Sequence, residues 1–432
     1  MRRRTMFVGM ALVAALVLAA CGSSGPSRPG SSDGALLWAI EGGVDAVYQD
    51  SVDRFNESRS DGPGVELQTF QNDPYKQKLR VAIGADSPPD VFFGWGGGVL
   101  ESYATAGKVH DLTPALRKDP SWRNKFLANV METVTFDGKV YGIPVRGMQP
   151  VVLYYNKELF RQHGARPPKT WQDLLNLVST FSSKGVTPIS LGGASPWTYL
   201  MWEEYLVDRL GGPEVFDAIL AGKPNAWSHP AVLQANRMIQ QLIDAGAFGE
   251  GYASVNYDTG QQAALLYTNK AAMNLMGSWD YSAIVDSQPQ FIKSGKLGWT
   301  TFPEVPNGSG DPNNVVGNTT NYYSVTKKSA NKQVAIDYLK NTVMDEQYVD
   351  KLIELGDVPP VKGIDKKLAG AENGDYLQYI YNLAQNAPSF ELSWDQALPP
   401  EQAEPLLTNL EQLFLKKITP RQFSTAMNGT LK

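Results

Sequence analysis

The feature that most constrains the fold is an alternation of short apolar strands with amphipathic helices, because such units bury their apolar sides only in layered α/β sheets. "ALLWAI" (35–40) is predicted as a strand, and apolar residues from Val44 to Phe55 then recur at helical spacing. "VELQTF" (65–70) is a second predicted strand, "YKQKLRVAIGA" a helix and "PDVFFGW" (89–95) a third strand. This β-α-β-α-β order predicts a parallel, doubly wound sheet with ligands beyond the carboxyl ends of its strands.

The same alternation begins again after about residue 145. "VVLYYN" (151–156) is a predicted strand, a helix capped by Thr170 ends at Gly185, and "VTPISLGG" (186–193) is a further strand. Because 432 residues exceed one typical domain, two lobes are expected. The predicted division gives the first lobe 35–145 plus about 297–327, and the second lobe 146–296 plus about 328–432.

The N-terminus carries an export signal. Three arginines precede an uncharged run from Met6 to Ala20, which is too short to span a membrane comfortably. Small residues before Cys21, the only cysteine, resemble a bacterial lipobox, which implies a signal peptide at 1–20 and lipidation of Cys21. The Gly/Ser/Pro-rich residues 21–34 then form a flexible tether at the extracytoplasmic face of the cell membrane. The alternative is an ordinary signal peptide followed by a chance cysteine.

Composition and motifs argue against several classes of function. The formal net charge is −5, and residues 1–20 contain three arginines and no acid, so nucleic acid is not an expected partner. The three histidines are far apart, and neither a metal site nor a cofactor is predicted. "GWGGG" at 94–98 lacks the third glycine of the dinucleotide fingerprint, and "SANK" at 329–332 lacks the companions of the penicillin-recognising signature. We therefore expect a protein that is not an enzyme.

Five segments together resemble the extracellular solute-binding proteins of carbohydrate ABC importers. In chain order they are "DSPPDVFFGWGGGVLESYATAGKVHDLTP", "YGIPVRGMQPVVLYYNKELFRQHG", "PPKTWQDLL", "GVTPISLGG" and "LMGSWDY". The resemblance implies a two-lobed periplasmic-binding-protein-like fold whose ligand cleft closes between two doubly wound lobes. It also implies a monomeric, lipid-anchored receptor that delivers a di- or short oligosaccharide to the permease subunits of an ABC importer.

A neutral sugar presents apolar C–H faces and many hydroxyls, so its binder needs aromatic stacking surfaces and polar side chains. In "GSWDY" the family pattern places Trp279 against the sugar. Trp95 lies in a glycine-rich loop, and Trp197 begins a helix that faces the strand ends. For each of these tryptophans, ordinary core packing is the alternative to a ligand contact.

The polar candidates occupy predicted strand ends and crossovers. Arg146 and Gln149 lie where the chain crosses between lobes and could contact hydroxyls or form a crossover salt bridge or turn. Glu41 and Asn72 are the polar residues that follow the first two strands. Asn318 and Tyr322 match the family's return crossover between the lobes. Trp394 and Asp395 resemble a late segment of the family that reaches the cleft.

Two other functions remain open from the sequence. One is a receptor of the same fold that binds a non-sugar solute. Within the sugar-receptor hypothesis, Arg146 leaves room for a charged or amino sugar. An exported glycoside hydrolase would also place tryptophans beside Asp and Glu, but no two carboxylates lie on a recognisable catalytic frame.

Overall fold

The computed structural model describes residues 34–59 and 62–431. The predicted signal peptide, the lipidation site Cys21 and the predicted tether up to residue 33 lie outside the described residues. Within the described ranges, no helix is both long and apolar enough to cross a membrane.

The described strands are short. In chain order they are β1 (Gly34–Ile40), β2 (Gly64–Phe70), β3 (Val91–Gly94), β4 (Thr135–Phe136), β5 (Lys139–Val140), β6 (Ile143–Pro144), β7 (Gln149–Asn156), β8 (Thr187–Ser190), β9 (Ala271–Gly277), β10 (Leu297–Thr300), β11 (Val315–Asn318), β12 (Tyr322–Val325) and β13 (Phe390–Leu392).

Helices connect and cover these strands. In the described ranges the α-helices are α1 (Asp45–Glu57), α2 (Asn72–Gly84), α3 (Gly97–Thr105), α4 (Thr113–Lys118), α5 (Pro120–Asn124), α6 (Ala128–Glu132), α7 (Lys157–Gln162), α8 (Trp171–Ser182), α9 (Trp197–Gly211), α10 (Glu214–Leu220), α11 (Pro230–Asp244), α12 (Gln261–Tyr267), α13 (Trp279–Ser287), α14 (Pro289–Lys293), α15 (Lys332–Asn341), α16 (Glu346–Glu354), α17 (Asp365–Ala369), α18 (Gly374–Asn386), α19 (Trp394–Ala397), α20 (Pro400–Phe414) and α21 (Pro420–Asn428).

The first lobe is built on a sheet of strand order β2-β1-β3-β12-β6. Strand β1 pairs in parallel with β2 and β3, as the sequence alternation predicts, and β12 pairs antiparallel with both β3 and β6. The carboxyl ends of the three parallel strands therefore point to one side of this lobe, where the ligand side of a doubly wound sheet lies.

The second lobe is built on a mixed sheet of order β13-β11-β7-β9-β8, with β10 also paired to β7. Helix α8 covers this lobe and begins at a capping box: the Thr170 hydroxyl accepts from the Asp173 amide, and the Asp173 carboxylate accepts from the Thr170 amide. Thr170 was the predicted cap, and the helix ends at Ser182, before Gly185 takes a φ of 72°. The predicted two-lobed α/β architecture is confirmed.

The predicted division between the lobes is wrong in two places. Strands β10 and β11 join the second sheet, and of the 297–327 segment only β12 joins the first. Helices α15 and α16 pack on the first lobe, where the hydroxyls of Tyr338 and Ser51 share a hydrogen bond of 2.7 Å and Tyr348 donates to the Val145 carbonyl. The chain thus returns to the first lobe for longer than its pattern indicates, because periodicity does not say which sheet an element joins.

Candidate functional site

A cleft that is partly open to solvent lies between the two lobes. It opens at the carboxyl ends of the parallel strands of the first sheet and is walled on the other side by α9, α12, α13 and α19. Of the eleven side chains predicted as ligand contacts, nine line it. They are Glu41, Asn72, Trp95, Arg146, Gln149, Trp197, Trp279, Asn318 and Asp395.

Two tryptophans form an aromatic wall on the second lobe. Trp279 starts α13 directly after β9, and its half-buried indole lies over Gly277, which leaves no room there for a Cβ. The ring centroids of Trp197 and Trp279 are 6.1 Å apart, and Tyr257 meets Trp197 edge-on at 4.6 Å. This arrangement exposes part of each indole to the cleft, as stacking on an apolar sugar face requires.

Trp95 is the aromatic residue of the opposite wall. It follows β3 and packs edge-on against Phe93, with ring centroids 5.2 Å apart. The ammonium of Lys76 lies 4.8 Å from the Trp95 ring centroid. The glycines that follow allow close approach of the lobes, because a Cβ on Gly97 would come 2.6 Å from the Gln396 carbonyl oxygen.

Amide side chains from the crossover strands form the cleft floor. The Gln149 Nε2 donates to the Asn321 Oδ1 at 2.7 Å. The Asn318 Oδ1 and the Asn321 Nδ2 are buried and have no hydrogen-bond partner within the described part of the chain. Because buried polar groups normally find partners, this acceptor and this donor stand out as unsatisfied at the floor of the cleft.

Arg146 lines the cleft but is bound largely by the protein. Its Nε donates to Asp357 at 3.0 Å, and its Nη2 donates to the Gly42 carbonyl at 2.9 Å and the Ser282 hydroxyl at 3.0 Å. The Arg146 and Asp357 side chains are both 3% exposed. Arg146 therefore joins the first lobe, the second lobe and the segment after α16, which is the crossover salt bridge left open by the sequence.

The polar candidates of the first lobe lie at strand ends. Glu41 is exposed directly after β1, and Asn72 begins α2, where its Nδ2 donates to Asp73 at 2.9 Å. Asp395, from the second lobe, accepts a hydrogen bond from Lys76 at 3.2 Å. These three side chains lie on the cleft wall, and their contact with a ligand stays a prediction.

Trp394 was predicted to reach the cleft, and this prediction is wrong. Its side chain is fully buried and stacks on Phe216 with ring centroids 4.5 Å apart, while its indole N–H donates to Glu391. The amide of Trp394 also donates to the Glu204 carboxyl at 2.7 Å. Burial raises the pKa of Glu204 to about 8, so this buried acid is largely protonated at neutral pH. Trp394 anchors the segment that presents its neighbour Asp395 to the cleft.

Tyr322 was also predicted to contact the ligand, and the structure contradicts this. It is fully buried, and its hydroxyl donates to the Val130 carbonyl at 2.7 Å. As the first residue of β12, paired with Gly94 and Pro144, it is held within the first lobe. The preceding loop presents Asn321 to the cleft instead.

Several cleft residues were missed from the sequence. Tyr257 and Asp258 lie in an irregular loop with no pattern, and Lys76 looks like an ordinary helix residue. Gln396 had a signal, its place beside Asp395 in the late segment. Asp280 had a signal, its place beside Trp279 in "GSWDY". Its buried carboxyl accepts from Asn274 at 2.8 Å, and burial raises its pKa to about 7.

Charge in the cleft is mainly negative. Carboxyl groups come from Glu41, Asp258, Asp280, Asp286 and Asp395, whereas the cations are Lys76 and the Asp357-paired Arg146. In the described ranges, no group of three or more His, Cys, Asp or Glu could hold a metal ion. An uncharged, hydroxyl-rich solute matches this lining better than an anion does.

This fold and cleft define a two-lobed solute receptor, in which a ligand is enclosed between α/β lobes. The chain belongs to the family of bacterial extracellular solute-binding proteins, whose model matches residues 40–347. It is 27% identical over 226 residues to an ABC transporter extracellular-binding protein of Pyrococcus horikoshii, a match that covers 51% of this chain but only 47% of that relative.

Two further comparisons cover more of the molecule. The chain is 27% identical over 313 residues to the maltodextrin-binding protein MdxE of Bacillus subtilis, covering 69% of this chain and 68% of that protein. A solved structure from work on xylan utilization by Caldanaerobius polysaccharolyticus has a TM-score of 0.82 and 29% identity, covering 92% of this chain and 100% of that one. The family resemblance inferred from the sequence is confirmed.

Proposed function

We propose that this protein is the extracytoplasmic receptor of an ABC importer and binds a neutral di- or short oligosaccharide in the interlobe cleft. The observation that carries the proposal is the pairing of aromatic walls from both lobes, Trp95 on one side and Trp197 with Trp279 on the other. Between them lie Asn318 and Asn321, whose Oδ1 and Nδ2 atoms, respectively, have no hydrogen-bond partner among the described residues. Stacking surfaces with donors and acceptors at their edges match the alternating apolar and hydroxyl surfaces of a sugar.

The proposed sequence of events uses closure of the two lobes. An aromatic wall on one lobe contacts the sugar first, and approach of the second lobe adds contacts and excludes water. The permease subunits would then distinguish the closed receptor from the open one by the relative placement of its two lobes. Family membership supports delivery to an importer, and the maltodextrin-binding relative supports a carbohydrate ligand.

Neutrality of the sugar is inferred from the charges around the cleft. The Arg146 guanidinium is already paired with Asp357, and Lys76 with Asp395, so neither offers an unpaired charge to an anionic sugar. The carboxyl groups of Glu41, Asp258 and Asp286 also line the cleft and would repel a uronic acid at short range. An amino sugar is compatible with this lining.

A thermal-shift screen tests the proposed function. We expect neutral malto- or xylo-oligosaccharides to raise the melting temperature in a concentration-dependent way, because a ligand that binds only the folded state stabilises it. Matched oligosaccharides that carry a uronic acid should have a smaller effect. The same incubations, analysed for products, should contain unchanged sugar.

Two results would contradict the proposal. Stabilisation by an amino acid or peptide but by none of the sugars would favour a same-fold receptor for a non-sugar solute. Sugar products that form on prolonged incubation and vanish in a carboxylate variant such as Asp280→Asn would favour a hydrolase.

Attachment through Cys21 is a separate part of the proposal. We expect Cys21→Ser to release the protein from the lipid fraction after detergent partition and to leave sugar affinity unchanged, because Cys21 precedes the folded lobes. Two acyl chains, at about 0.8 kcal/mol per buried methylene, anchor a protein stably. Recovery of the variant in the lipid fraction would contradict lipidation at Cys21.

A further inference from the structure

Helix α2 of the first lobe presents three charged side chains to the second lobe. Asp73, Lys76 and Arg80 are spaced three and four residues apart, which places them on one helical face. Lys76 pairs with Asp395, and Arg80 pairs with Glu404 on α20. The Arg80–Glu404 pair is about half exposed, and such pairs contribute little.

The contacts of Asp73 are of a different kind. Its Oδ2 accepts from the Ser195 hydroxyl at 2.7 Å, and its Oδ1 accepts from the indole N–H of Trp197 at 3.0 Å. Both donors lie at the start of α9, a 15-residue helix of the second lobe. The carboxylate is thus hydrogen-bonded at the positive end of a long helix, where charge-assisted bonds and the helix dipole act in the same direction.

A second carboxyl group makes the reverse contact. The Oδ2 of Asp258, in the second lobe, accepts from the backbone N–H of Asp73 at 3.0 Å. That amide belongs to the first turn of α2, where a helix has unpaired N–H groups. Each lobe therefore supplies a carboxyl oxygen to the first turn of a helix of the other lobe.

These contacts also determine the orientation of a cleft wall. The bond from Asp73 fixes the indole edge of Trp197, and the Trp197 ring in turn contacts both Tyr257 and Trp279. Asp73 itself is not among the residues that line the cleft. It therefore acts on the aromatic wall from behind, and only while the lobes are together.

We propose that Asp73, Ser195, Trp197 and Asp258 form an interlobe latch that stabilises the closed arrangement through protein contacts and aligns Trp197 on closure. Asp73 is a positioning residue in this proposal. Breaking its contacts should shift the equilibrium toward the open arrangement and weaken ligand binding by the resulting loss of closed population.

The first measurement is the distance between the lobes. Spin labels at Gln77→Cys on the first lobe and Lys223→Cys on the second, in the full chain carrying Cys21→Ser, report this distance by electron–electron resonance. Both positions are exposed. We expect Asp73→Asn and Ser195→Ala, which disrupt the latch from opposite lobes, each to shift the distribution to longer distances without added sugar.

The second measurement is sugar affinity, and this arm rests on the proposed function. We expect Asp73→Asn to weaken binding of a malto-oligosaccharide by about tenfold, mainly through faster dissociation. The matched control is Glu57→Gln, which removes one negative charge from an exposed position on α1 of the same lobe. The control should change neither the distance nor the affinity.

The outcomes separate the latch from the ligand. Distance distributions of Asp73→Asn and Ser195→Ala that match that of Glu57→Gln would overturn the latch, whatever the affinities are. A shift to longer distances in both variants supports the latch, even if the unsubstituted protein binds no sugar of the panel. Failure of the unsubstituted protein to bind any of these sugars would count against the proposed function alone.

Discussion

Asp357→Ala should lower the free energy of unfolding by about 3–5 kcal/mol, because it leaves the Arg146 guanidinium buried without its charge partner. The Asp357 and Arg146 side chains are each 3% exposed, and the bond between them measures 3.0 Å. The remaining bonds of Arg146, to Gly42 and Ser282, involve neutral acceptors. Urea denaturation at neutral pH measures the loss.

Asp350→Ala is the matched control for this experiment. Asp350 pairs with Lys367 at 2.5 Å, but these two side chains are 46% and 38% exposed. Water replaces such a partner, so we expect a loss of less than about 1 kcal/mol. Equal, small losses in the two variants would show that burial of Arg146 does not depend on Asp357.

Trp279→Ala should weaken sugar binding about 30-fold, since a central aromatic contact is worth roughly 2 kcal/mol. The half-buried indole lies over Gly277 and faces the cleft beside Trp197. Its removal takes away stacking area but leaves no closed cavity, so the melting temperature without ligand should change little. Titration calorimetry and thermal denaturation measure the two quantities separately.

Trp394→Ala provides the opposite case for comparison. That tryptophan is fully buried between Phe216 and Trp227, so truncation should cost about 3–5 kcal/mol of stability. Near-normal sugar affinity together with a strongly lowered melting temperature in Trp279→Ala would assign Trp279 to the core as well. Our interpretation of "GSWDY" would then be wrong.

Local pattern was enough for the parts of the fold that depend on neighbours in sequence. Alternating apolar residues and short apolar runs predict strands β1 to β3, and Thr170 as a cap predicts the start of α8. The strand-end loops that carry Glu41, Asn72 and Trp95 were predictable because parallel strands bring their carboxyl ends to one edge. The alternation that begins again after about residue 145 predicted the second lobe, and the family segments pointed to Trp279.

Other features depend on contacts between residues far apart in the chain. Nothing in their own sequence distinguishes β11, which joins the second sheet, from β12, which joins the first. Likewise Trp394 and Asp395 are adjacent, but they differ in environment because Glu204 and Phe216 fix the segment with the indole inward. Which side of a short segment faces a cleft depends on its tertiary anchors.

The sequence by itself therefore determined the layered α/β class and nine of the residues that line the cleft. Export stays a prediction from the N-terminus. Only the tertiary structure decided that Arg146 is paired with Asp357, that Tyr322 is buried, and that Asp73 contacts the start of α9. The physical reason is that periodicity and capping act over a few residues. Burial of a charge or alignment of a helix terminus requires groups brought together from separate lobes.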